Sequence, residues 1–326
     1  MSIEAIKPGL LSTLVAAERT GYRQYGVGPG GPMDTFAMRV ANFLVGNDEA
    51  QAVIEMHFPG PEFVIKENLL LAITGNGFEV FLNGEPKPLW TPLLTPGNSV
   101  LKFKIKTNAG RGYLSVQGGW KAESWLGSRT THLGVQAGGY LGRALKKGDC
   151  LDTADEAREI RNAKLSWQVS RNELDKMYLP SNEIRCVASA ETDALSDQSK
   201  ADFASGVFVI GNKSNRMGFR LEGPALRLNE PLEFVSSPVD VGTVQLLPDG
   251  NLIILMADHQ TTGGYPRIAS VIKADLPKLA QLNPNEKMNF KMIAMADAEA
   301  LFLSMENQLA EIKNSCRQQL NKQIAS

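Results

Sequence analysis

From Leu252 to Ala257 the chain runs through six apolar residues with no helical phase and then turns polar at Asp258. Such a run predicts a strand covered on both faces and broken off by the acidic residue. Asp258, His259, Gln260, Thr261 and Thr262 then supply carboxylate, imidazole, amide and hydroxyl groups in succession, and Gly263, Gly264 and Tyr265 close the loop. Paired glycines let backbone N–H groups come close to a ligand that a Cβ would keep away, so the loop suits an anion or a carbonyl. The same residues also read as a hairpin turn with solvated polar side chains.

An earlier stretch has the same layout. Leu69–Gly84 leads through Pro92–Ile105, as Leu252–Ile272 leads through Ala280–Ile293: a buried strand, a glycine-containing polar loop, a second apolar stretch, a proline-led turn and an alternating closing strand, LKFKI or MNFKMI. This layout predicts a mainly β chain with a few helices, built as two similar β-rich units related by internal duplication. Phe36, Val40, Phe43 and Leu44 share one face of a helix that Asp34 can cap and Gly46 can end. A long amphipathic helix is predicted over Asp297–Gln319, its stripe packing against the chain's own β units. Asp152–Gln168 starts charged and helix-prone, and Ala188–Asp202, rich in Ser, Asp and Ala, reads as a connector or mobile loop. The expected division is 1–165, 166–296 and 297–326.

Composition narrows the function classes. Lys plus Arg (34) against Asp plus Glu (35) leaves a formal charge of −1, so no global field recruits nucleic acid or an acidic membrane. Cys150, Cys186 and Cys316 are dispersed and odd in number, and the three histidines are equally scattered, which predicts neither disulfides nor a Cys/His metal site. No window approaches the roughly 20 apolar residues of a membrane span. Glu4 and Pro8 interrupt what would be a secretory leader, so a cytoplasmic location is expected.

Three further motifs carry candidate chemistry. GVGPGGPMD delivers Gly30 and Gly31 into the N-terminus of the first helix at Asp34, where free N–H groups and the dipole favour an anion; a tight connection needing glycine reads equally well. It matches neither a phosphate-binding Walker loop nor a dinucleotide fingerprint. In GNKSNRMGFRLEG, an otherwise turn-like stretch, Asn215, Arg216 and Arg220 offer a carboxylate or phosphate grip, with solvated surface charge as the alternative. Arg129 in LGSRTTH has the same two readings.

MDTFAMRVANFLVGN, GGWKAESWLGSRTTH, SNRMGFRLEG and ADHQTTGGYPRIASVIKADLPKLAQLNP resemble, in order, the signatures of the biotin-dependent carboxyltransferase or KipA-like family. That family includes the C subunits of bacterial 5-oxoprolinase and parts of urea carboxylases. The resemblance spans about Gly21 to Pro284 and implies cyclophilin-like β-barrel units. It also implies two partners, a KipI-like B subunit and a ring-opening A subunit. The implied activity is ATP-dependent opening of 5-oxo-L-proline to L-glutamate, with ATP and Mg²⁺ in the assembled complex and no covalent biotin on this chain. In that scheme Thr261, Thr262 and the N–H groups of Gly263 and Gly264 hold developing oxygen charge, Arg216 holds the substrate carboxylate, and Asp258 is an acid/base or Mg²⁺ contact, with Gln260 beside them. Carboxyl transfer to urea or a related amide, and non-catalytic binding of a KipI-like inhibitor of a histidine kinase, are the alternatives. The chain departs from the family where Val15, Ala16, Ala17, Glu18 and Arg19 stand for the usual QDLGR, which makes activity conditional on that lost acid not serving chemistry. It also has His132 where Asp or Tyr is more frequent and Asn285 for a turn glycine.

Overall fold

The computed structural model describes residues 1–106, 110–155, 165, 167–178, 182–230 and 234–324. Two compact units emerge, each drawn from separated stretches of chain. The first gathers Met1–Glu18, Asp34–Leu174 and Asn307–Ser326; the second gathers Arg19–Met33 and Asp175–Glu306. This grouping differs from a contiguous division at residue 165 because the glycine-rich segment before Asp34 joins the second unit. Most of the helix-prone stretch expected after Asp152 lies outside the described residues.

In the first unit, a six-stranded sheet runs in the order Cys150–Asp152, Ser2–Lys7, Glu62–Ile65, Ser99–Ile105, Phe78–Leu82 and Glu85–Lys87. A five-stranded sheet follows the order Leu11–Val15, Val53–His57, Gly112–Val116, Leu69–Gly75 and Pro92–Thr95. Their facing residues, among them Ile3, Phe63, Phe103, Ile54, Leu71 and Leu114, share one core. The strand Leu69–Gly75, apolar from Leu69 to Ile73, is buried at every position because its other face carries the helix Thr35–Leu44, where Thr74 donates to the Ala37 carbonyl at 2.7 Å. Phe78–Leu82 keeps one face open and alternates accordingly.

The second unit is a closed seven-stranded barrel. Around it run Glu183–Ala188, Arg267–Val271, Thr243–Leu246, Leu252–Leu255, Gly218–Glu222, Phe208–Ile210 and Lys287–Met292. Closure leaves no free edge. Ala188–Asp202 is not wholly a connector: Ser196 caps a helix over Asp197–Ser205, which stacks Phe203 on Phe290 at 4.5 Å. A hydrophilic helix of this kind is invisible to periodicity, since only Ser199 and Phe203 are buried on it. Short helices at Arg171–Tyr178 and Leu276–Ala280 escape the sequence pattern because so few turns cannot establish a period. Gly218–Glu222, expected as part of a turn-like stretch, is instead a barrel strand, and Asn285 takes the turn glycine's left-handed conformation at φ 71°.

The long C-terminal helix runs from Met295 to Ile324 and buries Ala298, Met305, Leu309, Ile312, Cys316 and Leu320 as one stripe within the chain. Among the described residues no helix is long and apolar enough to cross a membrane.

At the start of the first helix the Asp34 side chain accepts from the Ala37 N–H at 2.8 Å, while its own N–H donates to the Tyr113 hydroxyl at 2.8 Å. That hydroxyl donates onward to Glu55 Oε2 at 3.0 Å, and burial, then the Glu55 charge, holds the Tyr113 pKa well above its ordinary value. Asp34 is wholly buried, so the chain's own carboxylate takes the helix N-terminus expected to greet an anion. Next to this network, burial and then the Arg111 charge push His57 down to about 4. A histidine held neutral in the fold but able to protonate when unfolded gives stability that is complete above about pH 6.5 and drains away as pH falls towards 4. Replacing His57 with Gln is expected to flatten the fall of the urea midpoint between these pH values; an unchanged slope would remove this assignment.

Candidate functional site

Strands Gly218–Glu222 and Leu252–Leu255 pair antiparallel with Gly218 opposite Leu255, which brings the residues just beyond them, Arg216 and Asp258, face to face. The Asp258 N–H donates to the Arg216 carbonyl at 2.8 Å. The Arg216 guanidinium grips the Asp258 carboxylate in a fork, Nε to Oδ2 at 2.7 Å and Nη2 to Oδ1 at 2.9 Å. Nη2 also donates to the Gly31 carbonyl at 2.6 Å. Only a planar, multi-donor cation can serve both acceptors at once.

The glycine loop is shaped to receive this grip. Gly30 and Gly31 have φ of 65° and 95°, in the left-handed region, and a Cβ on Gly28 would lie 2.8 Å from the His259 carbonyl oxygen. The buried Arg19 braces the loop from behind, its N–H donating to the Pro29 carbonyl at 2.8 Å. Two motifs far apart in sequence therefore form one structure inside the second unit. Arg216 is 8% exposed and engaged by Asp258 and Gly31, whereas the Asp258 side chain is 28% exposed and accepts one hydrogen bond from Arg216 on each carboxylate oxygen. The pair is a clamp on the two loops.

His259, absent from the predicted site, is buried at the centre of this junction. Its Nδ1 lies 2.6 Å from the Gln260 carbonyl, which fixes the proton there and leaves Nε2 bare. Nε2 faces the Asp240 carboxylate at 3.8 Å, and Asp240 is itself held by Arg23 at 2.6 Å. Burial is the largest influence on His259 and lowers its pKa, disfavouring the imidazolium.

On from His259 the polar loop opens onto a cleft of about 480 Å³. Gln260 and Tyr265 reach it from the loop, Asn215 and Arg220 from the preceding hairpin, all four expected from sequence, and Lys213 joins them. Met217, Leu247 and Ile253 give it an apolar side. Lys213 and Arg220 are exposed, and neither side chain has a hydrogen-bonded or ion-paired partner among the described residues. Asp249 also lines the cleft; its carboxylate accepts from the Asn251 side-chain amide and N–H, each at 3.0 Å, and these bonds together with the Arg220 charge lower its pKa. Thr261 and Thr262 do not line the cleft. Thr262–Gly263 forms a two-residue strand paired with Ser237–Pro238, and neither Gly263 nor Gly264 has the positive φ of an anion-binding nest. Gly263 is needed for another reason: a Cβ there would lie 2.5 Å from Nε2 of Gln245, a wholly buried amide in the strand Thr243–Leu246 that also lines the cleft. Gln245 was missed in the sequence, where one amide in an apolar strand, TVQL, was the available signal. Arg129 is in the first unit, where it donates to Gln51 at 3.1 Å.

Residues 25–292 match the model of the carboxyltransferase domain, subdomain A and B. The chain is 34% identical to the 5-oxoprolinase C subunit of Haemophilus influenzae over 93% of its own length and 94% of that protein. The corresponding C subunit of Escherichia coli is 33% identical, with 91% and 93% covered. Among solved structures, the Kluyveromyces lactis urea amidolyase superposes with a TM-score of 0.86 at 25% identity, covering 95% of this chain and 20% of that one. The chain thus spans about one fifth of the urea amidolyase.

Cutting Arg216 to Met leaves Asp258 without its counter-charge and Gly31 without its donor, and is expected to cost about 2–3 kcal/mol in urea unfolding. Arg216→Lys should recover little of this, because one ammonium cannot reproduce the fork. Wild-type stability in Arg216→Lys would show that charge alone matters at this position.

Proposed function

The chain belongs to the carboxyltransferase-domain family, and we propose that it is the substrate-holding subunit of an ATP-dependent 5-oxoprolinase that opens 5-oxo-L-proline to L-glutamate together with a KipI-like partner and a ring-opening subunit. One observation carries this reading: the cleft beside the family's most specific loop combines two exposed cations that make no hydrogen bond or close ion pair, Lys213 and Arg220, with the amides of Asn215, Gln245 and Gln260, against a single carboxylate, Asp249. Such a lining suits a ligand that is both an amide and an anion. A five-membered lactam carrying a carboxylate meets that description. Urea, a neutral amide, brings no charge of its own to the cations.

The roles follow from the lining. Arg220 and Lys213 hold the carboxylate, Arg220 in bidentate fashion. The Gln260 amide and the Tyr265 hydroxyl act as donors to the lactam carbonyl, and Met217, Leu247 and Ile253 cover the ring's methylene side. A lactam carbonyl is a poor electrophile, so ring opening requires activation, which ATP supplies in the complex. Biotin-dependent carboxyl transfer is the second reading, favoured by the urea amidolyase likeness, and would need a separate biotin carrier.

ATP-dependent glutamate release should be measured from this chain mixed with its KipI-like partner and the ring-opening subunit, omitting each in turn. Turnover is expected only when this chain is present, and Arg220→Ala should raise KM for 5-oxo-L-proline about tenfold or more with a smaller change in kcat. Turnover without this chain, or carboxylation of urea from carboxybiotin in its place, would overturn the proposal.

A further inference from the structure

The cleft contains one group whose hydrogen bonding is unfinished. Gln245 is 0% exposed, and its Oε1 has no hydrogen-bond partner. Leaving a buried acceptor unpaired costs about 1–3 kcal/mol, and a barrel wall of Thr243, Val244 and Leu246 would accept a Leu or Met there with no such penalty. The orientation of the amide is set by its surroundings. Its Nε2 points at the main-chain carbonyl of Tyr265 at 3.5 Å, and an oxygen in that place would face another oxygen, so the orphan is the acceptor end. Space has also been cleared for it, because a side chain on Gly263 would collide with the amide at 2.5 Å. Gly263 thus leaves room for the carboxamide in this position beside the cleft.

An acceptor without a donor, in a cleft where the Asp249 carboxylate already accepts from Asn251 and the Asn215 oxygen from the Met217 N–H, specifies what the ligand must bring. Lys213, Arg220, Asn215, Gln260 and Tyr265 all can donate to ligand oxygens. The Gln245 oxygen can only be completed by an N–H or O–H. We propose that Gln245 accepts the hydrogen bond from the ring N–H of a carboxylated lactam and so selects a lactam over the corresponding lactone or N-alkyl lactam. This rests on the functional reading above and deepens it, naming the residue that reads the amide nitrogen. Sites built to pair a ligand N–H reject analogues that lack it far more strongly than apolar pockets reject a methylene.

Binding to the purified full-length chain tests this without calling on the complex. Three probes would be titrated by calorimetry: 5-oxo-L-proline, its N-methyl derivative, and the lactone 5-oxotetrahydrofuran-2-carboxylate. The wild-type chain is expected to bind the first about 10- to 100-fold more tightly than the lactone, which matches it in size and charge but has a ring oxygen for the N–H. In Gln245→Met the preference should shrink to about twofold with lactone binding retained. Gly263→Ala, which displaces the amide without removing it, should also weaken the preference. Equal binding of lactam and lactone by the wild type, or a full preference surviving in Gln245→Met, would overturn the inference. Its failure is distinguishable from failure of the proposed function. Turnover that requires this chain but shows no N–H selectivity sinks only the role of Gln245; selective lactam binding with no turnover in the complete mixture sinks only the oxoprolinase assignment.

Discussion

One guanidinium holds the candidate site together. Arg216 is buried, and its fork places Nε and Nη2 on Asp258 while Nη2 also reaches the Gly31 carbonyl. Removing a charge of this kind from water is tolerated only when its hydrogen bonds are made in good geometry. The surrounding features follow from that requirement. Asp258 must end the strand Leu252–Leu255 where the neighbouring strand ends, the glycine loop must turn its carbonyl inward through left-handed residues, and Gly28 must lack a side chain so that the His259 backbone can approach. The clamp fixes the start of the polar loop, and the cleft-lining residues Gln260 and Tyr265 lie a few positions further along it.

Much of the β architecture was legible because burial on two faces and on one face leave different marks. Leu69–Ile73 and Leu252–Leu255 read as continuous apolar runs, and Phe78–Leu82 alternates. The first helix was equally plain, since Asp34, its apolar face and Gly46 all agree with one another. What periodicity does not encode is partnership over long distances. The first unit's two sheets and the second unit's closed barrel arise from similar-looking strand sequences, because closure depends on pairing order rather than on any strand's own pattern.

The site shows the same division. Sequence marked the loop Asp258–Tyr265 and the residues Asn215, Arg216 and Arg220, and the second unit does bring them together. It could not assign them, because an arginine that binds substrate and one that binds its own chain have the same letter. Arg216 and Arg220 lie four residues apart; one falls inside the clamp and the other at the middle of a barrel strand, facing solvent. The glycines misled in a similar way. Gly263 has the composition of an anion nest, yet it sits in an extended pairing and its purpose is to make room for Gln245.

The segment Arg19–Met33 belongs to a unit whose remaining residues begin only at Asp175. During synthesis, the Gly31 carbonyl leaves the ribosome 185 residues before the guanidinium that will bind it. At ordinary elongation rates of about 5–20 residues per second, that is an interval of roughly 10–40 s. Throughout it the glycine loop and the apolar Met33, a member of the barrel's core, have nothing to fold against. The first unit can organise around its own strands in that time, but the barrel closes only after most of the chain has been made. The nascent protein therefore carries a piece of the second unit, Arg19–Met33, that waits until the residues from Asp175 onward arrive to claim it.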